Sequence, residues 1–158
     1  MKSIFLIALL GLLPVFFLVS CGGSGGKDDM AVLFPSVGGE SYMRNAINTE
    51  RKIQGRNQLI RLPRLDAVAL RECQRAARSG ELEVNLTGIQ KALGERELVG
   101  ALLGRLKNRG PETGAKFVPY WKEGPNNREM LLGDWTSFGI GTVPSQDGDM
   151  VAVVIFTK

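Results

Sequence analysis

Trp121 to Gly141 reads WKEGPNNREMLLGDWTSFGIG, and the reading of this stretch decides the fold. It opens on a tryptophan and a polar Gly-Pro-Asn-Asn turn, makes a short helical turn from Arg128 to Leu132, and after Trp135 enters a strand at Phe138-Gly139-Ile140-Gly141. A polar turn beside a tryptophan, backed by a helix and a strand, commonly builds one wall of a cleft. The strand has an obvious partner. Met150 to Thr157 is rich in β-branched and aromatic residues, and the turn cluster PSQDGD between them makes a hairpin. Val151 to Phe156 is apolar at nearly every position, as a central strand covered on both faces should be. Helices on both sides of a small antiparallel sheet would cover it, so the expected fold is α+β, an α-β-α sandwich.

The covering helices are legible upstream. A first helix is expected from Ser41 to Gly55, with Met43, Ala46, Ile47 and Ile53 on its apolar stripe and Glu50 close to it. A carboxylate in that position needs a partner. A second helix is expected from Arg64 to Ser79, closed by Gly80. Its face carries Leu65, Val68, Ala69, Glu72, Cys73, Ala76 and Ala77. Thr87 is placed as the cap of a short helix bearing Leu86, Ile89 and Leu93. Leu98, Leu102 and Leu106, four apart, argue for helix as far as Asn108. A loop from Arg109 to Gly114 and a lead-in at Phe117 to Tyr120 follow.

Three segments together resemble a known family. Ile47-Asn48-x-Glu50-Arg51 is similar to a first-helix motif. The alanine-and-small spacing of Ala69 and Cys73 is similar to a second-helix pattern. Trp121, Pro125, Asn127-Arg128, Leu131-Leu132 and Phe138-Gly139-Ile140-Gly141 resemble its signature segment. The family is the CAP superfamily of cysteine-rich secretory, antigen-five and pathogenesis-related proteins, with many secreted bacterial members. The resemblance implies an α-β-α sandwich with a central cleft, which in the family two histidines and two glutamates often line. It sets Asn127 where a cleft histidine usually stands and aligns Glu95, in Gly94-Glu95-Arg96-Glu97-Leu98-Val99-Gly100, with a cleft glutamate. Asn48, Glu50 and Arg51 are read first as pins holding the first helix to neighbouring loops, and only second as ligand contacts.

The N-terminus points to export. Lys2 precedes an uncharged apolar run from Ile4 to Val19, and Leu18-Val19-Ser20-Cys21 has the form of a bacterial lipobox. The run is short for a membrane helix and ends in Cys-Gly-Gly-Ser-Gly-Gly without a basic flank. The reading is therefore a lipoprotein signal peptide over residues 1–20 and an acylated (palmitate-bearing) Cys21 with a flexible tether over 21–36. A CAP-like domain is expected over 37–158. Acyl chains on Cys21 would anchor the chain to a bacterial membrane at the cell envelope. Gly22 in place of aspartate favours the outer membrane where the host has one. With Cys21 consumed, Cys73 stands alone in an apolar stripe, a buried small residue rather than a nucleophile.

Composition narrows the chemistry. The chain has 158 residues, a net charge of +4 and no histidine. The basic excess falls mainly between Arg44 and Arg78. In an exported chain it marks a solvated face, or one resting on lipid or wall polymer, rather than a nucleic-acid site. Without imidazole, and with one thiol in an apolar stripe, no metal site of the zinc kind and no cofactor are expected. Asn127 can exchange hydrogen bonds but cannot work as a general base at neutral pH. No catalytic residue is therefore assigned, and the candidate binding residues are Glu95, Trp121, Asn127 and Arg128. Trp121 is open to two readings, a stacking surface for a ligand or part of the core, whereas Trp135 reads as core. The expected function is a non-catalytic binding module for lipid, wall polymer or a protein ligand. The alternative is a wall hydrolase built on two carboxylates among Glu95, Glu97, Glu123 and Asp134.

Overall fold

The computed structural model describes residues 38–94 and 97–158. The leader, Cys21 and the tether lie outside the described residues, and so does Glu95. Within them the order is α1 (Gly39–Ile53), β1 (Ile60–Arg61), α2 (Pro63–Ser79), α3 (Leu86–Leu93), β2 (Val99–Leu106), α4 (Thr113–Glu123), α5 (Pro125–Leu132), β3 (Ser137–Pro144) and β4 (Met150–Thr157).

The four strands form one sheet in the order β1-β3-β4-β2. The hairpin β3–β4 runs antiparallel from Ser137 opposite Thr157 to Pro144 opposite Met150. β2 pairs antiparallel with the other side of β4, Val99 opposite Thr157 and Leu106 opposite Met150. β1 adds two residues parallel to β3, so the sheet is mixed rather than purely antiparallel. All eight residues of β4 are buried, which is what its unbroken apolar run requires of a strand with helices on both faces.

Alternation along the strands sorts the core into two layers. Phe138, Ile140, Ala152, Val154 and Phe156 face α1, α4 and α5, where they meet Met43, Ile47, Phe117, Trp121 and Leu131. Val143, Val151, Val153 and Ile155 face α2 and α3, meeting Val68, Ala69, Cys73, Ala76 and Ile89. The fold is thus α+β, three layers deep with the sheet in the middle. On β3 the residues facing α2 include Gly139 and Gly141, and the helix lies directly on them. A Cβ at Gly141 would sit 2.5 Å from the Ala69 carbonyl carbon and from the Leu70 nitrogen, and one at Gly139 would overlap Leu65 and Asp66 backbone. The Gly-x-Gly of the strand is therefore a packing device: absent side chains let α2 approach the sheet.

Three further expectations need correction. The segment placed as helix from Leu98 to Asn108 is strand β2. Its leucines at 98, 102 and 106 mimic a helical period, but burial alternates residue by residue from Val99 through Gly104. Gly100 and Gly104 leave room on one face for Trp135 and Met130 and for Trp121 and Phe117. The loop and lead-in placed from Arg109 to Tyr120 hold instead the helix α4, which begins at Thr113 and tolerates Pro119. Thr113 Oγ1 accepts the Arg109 N–H at 2.9 Å and settles the entry to that helix. At α3 it is Asn85, not Thr87, that caps, its side chain accepting the Gly88 N–H at 2.9 Å.

Candidate functional site

The first-helix motif forms the frame of the site. Asn48 grips Leu59 from both sides, accepting its N–H at 2.9 Å and donating to its carbonyl at 3.2 Å. Arg51 is 1% exposed. It donates to the carbonyls of Asn57 (2.9 Å), Leu131 (2.8 Å) and Gly133 (3.0 Å). Those last two lie at the C-terminal end of α5, whose partial negative charge the buried guanidinium offsets; Gly133 also accepts the Trp135 N–H at 2.9 Å. Burial holds the Arg51 pKa below its ordinary value. Glu50 meets Lys122 Nζ at 2.6 Å and accepts from Gln54 Nε2 at 3.0 Å. The Lys122 hydrogen bond outweighs desolvation and lowers the Glu50 pKa. All three polar residues of the motif thus tie α1 to the β1 entry, α5 and α4.

A cleft of about 670 Å³ opens where these ties converge. Arg56, Lys122 and Arg128 supply its cations, Glu123, Glu129 and Asp134 its carboxylates, and Pro125, Leu132 and Gly133 an apolar strip. The elements that place them are the end of α4, the whole of α5 and the turn after it. Arg56 arrives from the far side because Gly55, at φ 69°, reverses the chain after α1. Lys158 hydrogen-bonds Asp134 and holds its carboxyl below the ordinary range. A carboxylate kept ionised in this way serves as an anion, not as a proton donor. Among the described residues no three His, Cys, Asp or Glu side chains gather as metal ligands would.

The structure distributes the sequence candidates as follows. Arg128 is exposed and lines the cleft. Asn127 is exposed one residue earlier on α5, beside Gly124 and outside the residues that line the cleft. Trp121 is fully buried. Its ring centroid lies 5.3 Å from that of Phe117 and its Nε1 donates to the Leu103 carbonyl at 3.1 Å. Of its two readings the structure corrects the ligand-stacking one: the indole fills the space that Gly104 leaves on β2, so it is core and carries no ligand face. Trp135 stacks on Phe156 at 5.9 Å and donates to the Met130 carbonyl. Glu95 lies outside the described residues. Of the four candidate hydrolase carboxylates, Glu123 and Asp134 share the cleft, whereas Glu97 pairs with Arg64 at 2.7 Å. Cys73 is buried, with its Sγ 3.1 Å from the Val151 carbonyl, and burial pushes its thiol up to about 12.

Sequence reasoning missed Arg56, Lys122 and Glu129. Lys122 and Glu129 lie in the very stretch that suggested a cleft wall, but of its charged residues only Glu123, Arg128 and Asp134 were singled out. Arg56 carried no local signal, because only the reversal at Gly55 directs it here.

No family model matches the chain, and no curated protein does. Among solved structures, an outer surface protein from Borrelia burgdorferi superposes with a TM-score of 0.68 over 80% of this chain and 96% of its own, at 18% identity. A cysteine-rich secretory protein from Staphylococcus aureus subsp. aureus Mu50 superposes with a TM-score of 0.59 over 75% of this chain, at 18% identity. This chain spans 38% of that protein's length. Likeness at such identity is likeness of fold, and on it the chain has a CAP-like α+β fold.

Proposed function

We propose that this chain is an exported lipoprotein, anchored through acyl groups on Cys21, whose CAP-like domain is a non-catalytic binding module at the bacterial cell envelope. The observation that carries the reading is the cleft between α4, α5 and Arg56. It sets three cations, three carboxylates and an apolar strip on a corner that Arg51 and the Glu50–Lys122 pair hold rigid. Mixed charge beside an apolar strip suits a lipid headgroup with part of its chain, or a charged wall polymer, more than it suits proton transfer. The likeness to an outer surface protein agrees with an envelope location. The lipobox and the Gly22 that follows Cys21 support membrane anchoring, at the outer membrane in a Gram-negative host.

The test is co-sedimentation of the chain carrying Cys21→Ser, which removes the acyl anchor, with isolated cell wall and, separately, with vesicles of envelope lipid. The variant Arg56→Ala/Arg128→Ala is run alongside. Both residues line the cleft and neither holds the fold in the way Arg51 does, so binding should fall while the circular dichroism spectrum stays unchanged. Binding that is equal in the double variant would remove the cleft from the account. The carboxylate hydrolase predicts a different outcome, release of soluble wall fragments that ceases on Glu123→Gln. Glu123 and Asp134 sit in one cleft, so that measurement belongs in the same experiment.

A further inference from the structure

The two edges of the sheet are finished differently. On the β1 side the edge is two residues long, and Asp66 covers the strand beyond it by accepting the Ile140 N–H at 2.8 Å while it holds Arg61 Nε at 2.9 Å. On the other side β2 runs for eight residues and, among the described residues, pairs only with β4. The β3–β1 hydrogen bonds fix the phase. Phe138 accepts from Leu62, so Ser137, Gly139, Gly141 and Val143 turn toward β4. Gly100, Leu102, Gly104 and Leu106 in turn bond β4, which leaves the backbone groups of Val99, Ala101, Leu103 and Arg105 directed outward. Among the described residues the one group bonded to this row is Trp121 Nε1, on the Leu103 carbonyl, and a carbonyl keeps a second lone pair. Of the usual protections of an open edge the strand carries one charge, Arg105, and it has no proline, no lysine and no bulge.

We infer that this edge is a self-association surface, on which a second copy of the chain adds its own β2 antiparallel about a two-fold axis at Ala101. Charge selects both the occupant and the register. Glu97 lies just before the strand and Arg105 near its end. Each keeps one buried polar atom without a hydrogen-bond partner, Oε2 and Nε respectively. An antiparallel pair centred on Ala101 sets Glu97 opposite Arg105 of the other copy, twice over, and Val99 opposite Leu103. It pairs the outward backbone row with itself. A register moved by two residues along one strand would pair the same backbone groups but put Ala101 against Leu103 and take the carboxylate away from the guanidinium. Rotation of either side chain toward the new partner satisfies both orphaned atoms, and the sheet continues through eight strands. This inference does not depend on the lipid anchor or on the cleft.

The experiment uses the full chain in detergent. Sedimentation equilibrium should give a mass of two chains per particle. Ala101→Cys should cross-link to its own counterpart under mild oxidation, with peptides joined at position 101, because residues directly opposite in such a pair lie within disulfide reach. Arg105→Glu should halve the mass, and Glu97→Arg/Arg105→Glu should restore it by exchanging the charges. Ala101→Pro removes an outward N–H that β4 does not use, and should also halve the mass. If that variant loses its circular dichroism spectrum, the charge exchange decides alone. A single-chain mass at all concentrations would overturn the inference. So would a dimer that neither Arg105→Glu nor Ala101→Pro disturbs, or failure of the exchange to restore association.

Discussion

Arg51 shows how a single side chain can hold two elements far apart in sequence. Its guanidinium is buried and donates to three carbonyls, two of them at the end of α5; of the three, Gly133 also accepts the Trp135 N–H. Arg51→Ala takes the described donor away from the Asn57 and Leu131 carbonyls, and should lower the unfolding free energy by about 3 kcal/mol. Denaturant titration checks this; a loss under about 1 kcal/mol would mean that water replaces the guanidinium. Glu50 gives a pH signature. Its folded pKa lies below its ordinary value of 4.5, chiefly through Lys122. Its contribution is therefore complete above that ordinary value and is lost as the pH falls through the lower, folded one. Glu50→Gln should flatten that part of the acid limb and leave stability near neutral pH lower and less dependent on pH. Cys73 is the third case. With its thiol pushed up to about 12 by burial, native protein at pH 8 should resist iodoacetamide at this position, and unfolded protein should be alkylated. Prompt alkylation of the native state would show that the second core layer opens readily.

Among the elements, α2 against β3 is the closest contact and depends on the two strand glycines. Gly139→Ala or Gly141→Ala puts a methyl group into helix backbone rather than into a flexible side chain. Each should cost about 2 kcal/mol or more and lower the melting temperature. A neutral substitution there would mean that α2 can retreat from the sheet. The strand was legible in the sequence, but the close approach that its two glycines allow shows only where α2 lies on them. The stripes of α1 and α2 and the fully apolar β4 were legible too. β2 was not. Three leucines four residues apart imitate a helix, and what marks the segment as strand is the pair Gly100 and Gly104, whose meaning depends on Trp135 and Trp121 packing over them. That is information from the tertiary structure. α4 was hidden for a related reason: Pro119 and the Gly-Pro start suggested a loop, although a helix whose buried side holds Phe117, Val118 and Trp121 can spare one N–H.

For the whole molecule, the three-layer architecture followed from one hairpin and two amphipathic stripes, and the superpositions agree with it. The candidate site was less legible. The stretch that suggested a cleft does border one, but through Lys122, Glu123, Arg128 and Glu129, whereas the conspicuous tryptophan turned inward. Aromatic residues announce themselves in a sequence, yet burial decides which of them can meet a ligand, and burial is a property of the assembled layers. The proposed function places the domain at the envelope through an acylated Cys21. The most direct measurement is the intact mass of the mature chain made in a bacterial host. The account requires loss of residues 1–20 and a lipid-modified Cys21 at the new N-terminus. An unmodified Cys21, or a leader still attached, would contradict it.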